Sequence, residues 1–186
     1  NICRTQIEVG MPYMIYQNAA NSKSNQKNIG TIRNSNLCAE IMEVSTADEV
    51  ATCNLASINL SKLVVTLDGR PTVDFKALES LVGRITLNLN HLIDECVYPV
   101  PEAKVSNDNH RPIGIGVQGF ANMCQKLFIP FDSSESKSIN RRIFECMYFA
   151  ALSTSCDLAI RDGAYSSFRG SPASYGQFQF DLWGVA

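Results

Sequence analysis

The chain has 186 residues, 45% of them hydrophobic and 18% charged, which is enough apolar material for a buried core and too little charge for a disordered chain. A formal charge of -2 and a pI near 5.7 give no electrostatic footprint for nucleic acid, and no basic run points to a membrane surface. Seven cysteines at irregular spacing, with no CxxC pair, argue against a secreted disulfide framework and against a zinc ribbon.

Taken in chain order, residues 1–9 show a short helical pattern closed by Gly10 and Pro12, and Pro12 to Tyr16 (PYMIY) reads as a strand. The polar run from Asn18 to Asn28 reads as a loop. Thr31 to Ser45 and Val50 to Val65 read as extended, with a turn at Ala47-Asp48-Glu49, and Leu67 to Pro71 makes a further turn. Asp74 to Cys96 predicts a helix, because Phe75, Leu78, Val82, Ile85, Leu89, Ile93 and Cys96 recur at three- and four-residue steps. After YPVP, residues Lys104 to Arg111 read as a polar loop, followed by Ile113 to Val117 and a helical stretch from Gln118 to Leu127. Asp132 to Glu135 has the form of a capping box, opening a long helix that Gly163 ends, and the remainder reads as loop. Strands first and helices later give an α/β class without clean alternation. No run reaches the roughly 20 apolar residues of a spanning helix, and no secretory leader is visible, so a cytoplasmic protein is expected. Both ends read as cut, so a piece of a longer polypeptide is expected.

The chemistry concentrates in SNLCAEI, Ser35 to Ile41. In an extended segment Asn36, Cys38 and Glu40 share one face, while Leu37, Ala39 and Ile41 share the other. A carboxylate beside a thiol opposes thiolate formation, which disfavours a nucleophile. The only histidines, His91 and His110, lie far along the chain, so a cysteine-protease pairing has no local support. A protonated thiol suits hydrogen-atom exchange better, with the carboxylate as a base on the substrate and the amide as its hydrogen-bond partner. The same spacing also suits a half-buried strand with two solvent-facing polar residues and an inert thiol, and spacing alone favours that plainer reading.

Those residues belong to longer motifs. GTIRNSNLCAEI (Gly30 to Ile41), ATCNLASINL (Ala51 to Leu60), YPVPEA, RPIGIGVQGFA and GSPASYGQFQFDLW occur in this order, and in them the chain resembles the large catalytic subunit of class I ribonucleotide reductases of the eukaryotic and viral type, from end to end. The resemblance implies a ten-stranded α/β barrel of the ribonucleotide reductase and glycyl-radical type. Residues 1–186 would be a single partial domain of it, from the central portion of the subunit, with a finger loop near residues 36–40. It implies that Cys38 carries a thiyl radical, that Glu40 is the general base and that Asn36 holds the substrate ribose. Cys53 would be one of two redox-active cysteines, its partner lying upstream of this chain. No cofactor is implied within the chain. A radical-generating metal cofactor would sit in a separate small subunit, and ATP and deoxynucleotide effectors would bind outside this region. The implied partners are a ribonucleoside diphosphate substrate, the small subunit, thioredoxin or glutaredoxin, and a second large subunit in a homodimer. The isolated chain is expected to be inactive.

Two rivals remain at this point: an adenosylcobalamin-dependent or glycyl-radical relative, and a truncated paralogue that only binds another subunit. Gly114 to Gly119 satisfies G-x-G-x-x-G, but the acidic residues near the required distance, Asp132 and Glu135, read as a helix start where a dinucleotide site needs a strand end. The glycines fit close backbone packing better. His91, Asp94, Glu95 and Cys96 read as a helix end, with no single face to hold a metal. Asn59-Leu60-Ser61 reads as a chance glycosylation match.

Overall fold

Two apolar stripes with helical spacing organise the larger part of the molecule. In the computed structural model, which describes residues 1–185, the chain divides into two units. One comprises Cys53–Val97 and Arg111–Ala164; the other comprises Asn1–Thr52, Tyr98–His110 and the chain from Tyr165 onward.

The first of these is built on helices α3 (Phe75–Glu95) and α6 (Ser134–Asp162). The Asp74 side chain starts α3 by accepting a hydrogen bond from Ala77 N at 2.9 Å, which satisfies one of the amides a helix start leaves unpaired. Ser133, one residue later than the sequence suggests, caps α6 by accepting from Ser136 N at 3.1 Å, and Gly163, at φ 90°, ends it. Leu78, Val82, Ile143, Met147 and Ala150 meet in a dry core with Ile58, Leu60, Leu63, Val73 and Met123. The helices approach closely at Gly83, where a Cβ would stand 3.0 Å from Thr154 Oγ1. By length and composition α6 alone among the described helices could cross a membrane, having an 18-residue window of mean hydropathy 1.3; its buried residues Ile143, Met147 and Ala150 belong to this core.

Strand β1 (Asn54–Asn59) leads through a 3-10 turn, Leu60–Leu63, into the hairpin of β2 (Val64–Leu67) and β3 (Arg70–Val73). Asp68 and Gly69 both take positive φ, 50° and 75°, as the tight turn between twisted antiparallel strands requires. β4 (Ile113–Gln118) pairs parallel with β1, and Gly119, at φ 74°, turns directly into α5 (Phe120–Leu127). The G-x-G-x-x-G run therefore lies within a strand and does not come after one. The chain is α/β; its strands form two two-stranded sheets, and the described residues contain no closed barrel. Asn59 is occupied structurally, its Oδ1 accepting from Ser61 N and Oγ at the 3-10 turn. Arg111 forks onto Asp94 at 2.8 and 2.9 Å and onto Asn90, so that end of α3 serves an ion pair.

The second unit has little regular structure: α1 (Ile2–Val9), α2 (Gln17–Lys23), α4 (Pro101–His110), a 3-10 turn at Pro172–Tyr175 and α7 (Gln179–Trp183). Four expectations fail here: the stretch after Gly163, expected as loop, carries a 3-10 turn and α7, and the other three lie earlier in the chain. PYMIY pairs with no strand. The polar run after it contains α2, and the expected loop after YPVP is α4, opened by Pro101, whose missing amide costs nothing at a first helical position. In the polar run the reason is that amide side chains substitute for apolar contacts. Asn21 accepts from Ile32 N at 2.7 Å and donates to Ile32 O at 2.9 Å. Gln26 Oε1 accepts from Val44 N, Asn25 Oδ1 from Ala173 N, and Asn28 Nδ2 donates to the carbonyls of Ser167 and Arg169. The stretch read as a polar loop thus holds neighbouring backbone in place.

Candidate functional site

Ser35 to Ile41 is a closed turn, and the expected strand alternation of Asn36, Cys38 and Glu40 does not occur. Ala39 N donates to Asn36 O at 3.2 Å, and Ala39 adopts φ 64°, a left-handed conformation uncommon outside glycine. Two side chains tie the base of the turn: Ser35 Oγ donates to Ile41 O at 2.6 Å, and Asn36 Oδ1 accepts from Ile41 N at 3.1 Å. Asn36, Cys38 and Glu40 are nevertheless all exposed on this one short turn. Leu37, Cys38 and Glu40 are exposed, and among the described residues neither the Cys38 thiol nor the Glu40 carboxylate has a hydrogen-bond partner. Asn36 commits its oxygen to the turn and leaves its Nδ2 available as a donor.

A loop so held presents a thiol and an acid with their reactive ends uncommitted. Cys53 stands elsewhere in the chain, half-buried immediately before β1, with Sγ 3.9 Å from Asn54 O.

The unit that carries the turn also contains a polar cluster that the sequence did not reveal. Glu49 receives a hydrogen bond from Asn109 Nδ2 at 2.6 Å and faces His110 Nε2 at 3.0 Å, while His110 Nδ1 lies 2.9 Å from Ser167 Oγ. The His110 side chain is only 5% exposed. Burial opposes ionisation of Glu49, but the hydrogen bonds from Asn109 and His110, with the charge His110 carries when protonated, outweigh it and hold the carboxyl below its ordinary value. Val50 N donates to Glu102 O at 3.2 Å, and Asn107 Nδ2 donates to Thr52 Oγ1. Residues 49–52, the approach to Cys53, are therefore fastened along α4. Thr46 turns the chain at the predicted position, receiving Asp48 N and Glu49 N on Oγ1.

A family model described as "Ribonucleotide reductase, barrel domain" matches residues 1–186. This chain belongs to that family. It is 52% identical over 185 residues to the ribonucleoside-diphosphate reductase large subunit of Caenorhabditis elegans, covering 100% of this chain and 23% of the relative. It is 51% identical over 184 residues to the large chain 2 of Saccharomyces cerevisiae, covering 98% and 21%, and 51% identical over 184 residues to the large subunit of Vaccinia virus, covering 99% and 23%. The chain thus spans less than a quarter of the length of these reductase subunits. Within this ribonucleotide reductase segment, the residues that position the turn and the approach to Cys53 are Ser35, Glu49, Asn107 and His110. Ser35 adjoins the motif and was open to notice. The Glu49 and His110 contact spans 61 residues and leaves no local pattern.

Proposed function

We propose that this chain is the part of a ribonucleoside-diphosphate reductase large subunit that reduces the ribose, within a ten-stranded barrel whose finger loop is the Ser35 to Ile41 turn. The observation that carries the reading is that Cys38 and Glu40, two residues apart on a pinned turn, are both exposed with their functional atoms unengaged. The extensive identity to reductase large subunits supports it. A thiyl radical at Cys38 takes the 3′-hydrogen of a ribonucleoside diphosphate, and Glu40 accepts the 3′-hydroxyl proton. Asn36, its oxygen fixed by the turn, offers Nδ2 to a ribose hydroxyl. The 2′-hydroxyl leaves as water; Cys53 and a second thiol of the complete subunit supply two electrons and two protons and close a disulfide. Cys38 then returns its hydrogen atom. In sum, a ribonucleotide and two thiols give a deoxyribonucleotide, a disulfide and water.

The radical comes from the metal cofactor of a separate small subunit. Thioredoxin or glutaredoxin reopens the disulfide, effector nucleotides bind elsewhere in a homodimeric large subunit, and the assembly works in the cytoplasm. The deciding experiment uses the full-length large subunit with its small subunit. Cys38→Ser abolishes turnover while substrate affinity changes less than about twofold, since a hydroxyl O–H is too strong a bond for this exchange and the loop ties do not involve the sulfur. Measurable turnover in that variant would refute the assignment. Glu40→Gln lowers the rate by about 10²- to 10⁴-fold, the usual range for losing a positioned base; an unaltered rate removes that role.

A further inference from the structure

We infer that Gly114 is a clearance residue for the Cys53 sulfur: the absent side chain keeps open a flank of Sγ that a second thiol must reach. The inference rests on the dithiol role proposed for Cys53. Leu55 and Gly114 are partners in the parallel pairing of β1 and β4. A Cβ at position 114 would stand 2.5 Å from Leu55 Cδ2 and 3.5 Å from Cys53 Sγ. The backbone there does not require glycine, since Gly114 is not among the positive-φ residues. Strand stability does not favour glycine either, because its lack of a side chain weakens a strand interior. Space is the remaining reason. Gly116, two residues on and on the same face, makes the contrast: a Cβ there would meet only Ala56 O, at 3.8 Å.

Of the two contacts at position 114, the one with Leu55 can be relieved. Leu55 is 57% exposed, and its side-chain end can swing into solvent. The contact with the sulfur cannot be relieved in that way, because Cys53 is half-buried where the strand begins. A methyl group at 114 would then rest on Sγ at van der Waals distance. Disulfide chemistry needs the opposite: the incoming sulfur must close to about 2.05 Å along the line of the bond that forms. In turnover two thiols lose two protons and two electrons as the S–S bond forms, and the ribose, losing its 2′-hydroxyl as water, takes them up. A dithiol reductant then attacks that bond, itself becoming a disulfide and restoring both thiols. Both steps need an approach to Cys53, so a side chain at 114 slows both.

The test uses the full-length large subunit containing these residues, its small subunit, and dithiothreitol as the reductant. In Gly114→Ala, iodoacetamide alkylates Cys53 about tenfold more slowly, read by peptide mass spectrometry, while Cys38 is alkylated at its original rate. Turnover falls with substrate KM unchanged. Gly116→Ala leaves both rates as they were. Adding Leu55→Ala removes the 2.5 Å clash and keeps the methyl on the sulfur, so the double variant stays slow at Cys53. Recovery in the double variant would assign the effect to strand packing and overturn the inference, as would an undiminished Cys53 rate in Gly114→Ala. Full turnover by Cys53→Ser would instead overturn the dithiol reading, an outcome separate from the alkylation rates.

Discussion

The α3 and α6 pair and the segment from Gln17 to Thr52 lie in one chain but are held by different forces. In the pair, Leu78, Val82, Ile143 and Met147 exclude water from a continuous core, and few polar groups take part. In the segment, Asn21, Gln26, Ser35, Asn36 and Glu49 bind backbone or one another, and only Ile32 and Val44 are buried apolar side chains. The contrast has a functional meaning under the proposed reaction. An apolar core fixes a scaffold but consumes the side chains that build it. A turn closed through Ser35 Oγ, Asn36 Oδ1 and backbone leaves the thiol and the carboxylate between them available to a substrate.

The contrast can be tested by its energetics. The largest effect is expected in the core: Leu78→Ala removes a side chain that is 0% exposed and should destabilise by about 2–5 kcal/mol, seen as a lower urea midpoint. A loss well under about 1 kcal/mol would mean that α3 and α6 do not share a dry core. Next is Asn21→Ala, which removes two of the three side-chain hydrogen bonds to the Ile32 backbone in the amide-held segment; the carbonyl keeps Gln17 Nε2 at 3.4 Å. It should cost about 1–3 kcal/mol, because the part-buried Ile32 amide loses its partner. Hydrogen exchange should speed at Ile32 first, and an unchanged Ile32 amide would deny Asn21 that role. Asp74→Ala, which removes the cap of α3, should cost about 1 kcal/mol and act on the first turn of that helix.

The same division explains what could be read from the sequence. α3 and α6 were visible to within a residue or two because burial of one face imposes a 3.6-residue period. α4 was not, since its buried residues are Ala103, Ser106 and Asn107 and its first residue is a proline, so neither hydrophobic spacing nor composition marks it as a helix. The sequence pointed to Asn36, Cys38 and Glu40 through a strand that does not form. Strand alternation was expected, whereas the segment is a turn through Ala39 at φ 64°, and no glycine or Asn-Gly pair announces a turn there. A left-handed alanine is legible only in coordinates. The tie from Glu49 to His110 could not be found by spacing at all, since partners 61 residues apart share no period.

That tie also gives the smallest and most specific effect. Glu49 has its carboxyl held below the ordinary value because the hydrogen bonds and the His110 charge overcome the cost of burial. A group whose folded value is lowered contributes stability that is complete above the unfolded glutamate value, 4.5, and that disappears as pH falls through the lowered folded value. The stability advantage of the parent chain over Glu49→Gln should therefore be present above about pH 5 and should shrink below it. Gln keeps one acceptor oxygen where Glu49 offers two, and it cannot carry the charge, so the pH-dependent part belongs to the carboxylate. A difference that stays the same from about pH 7 to about pH 3 would show that the Glu49 contact with His110 is shape alone. The approach to Cys53 would then be fastened by Asn107 and by Val50 N on Glu102, without help from charge.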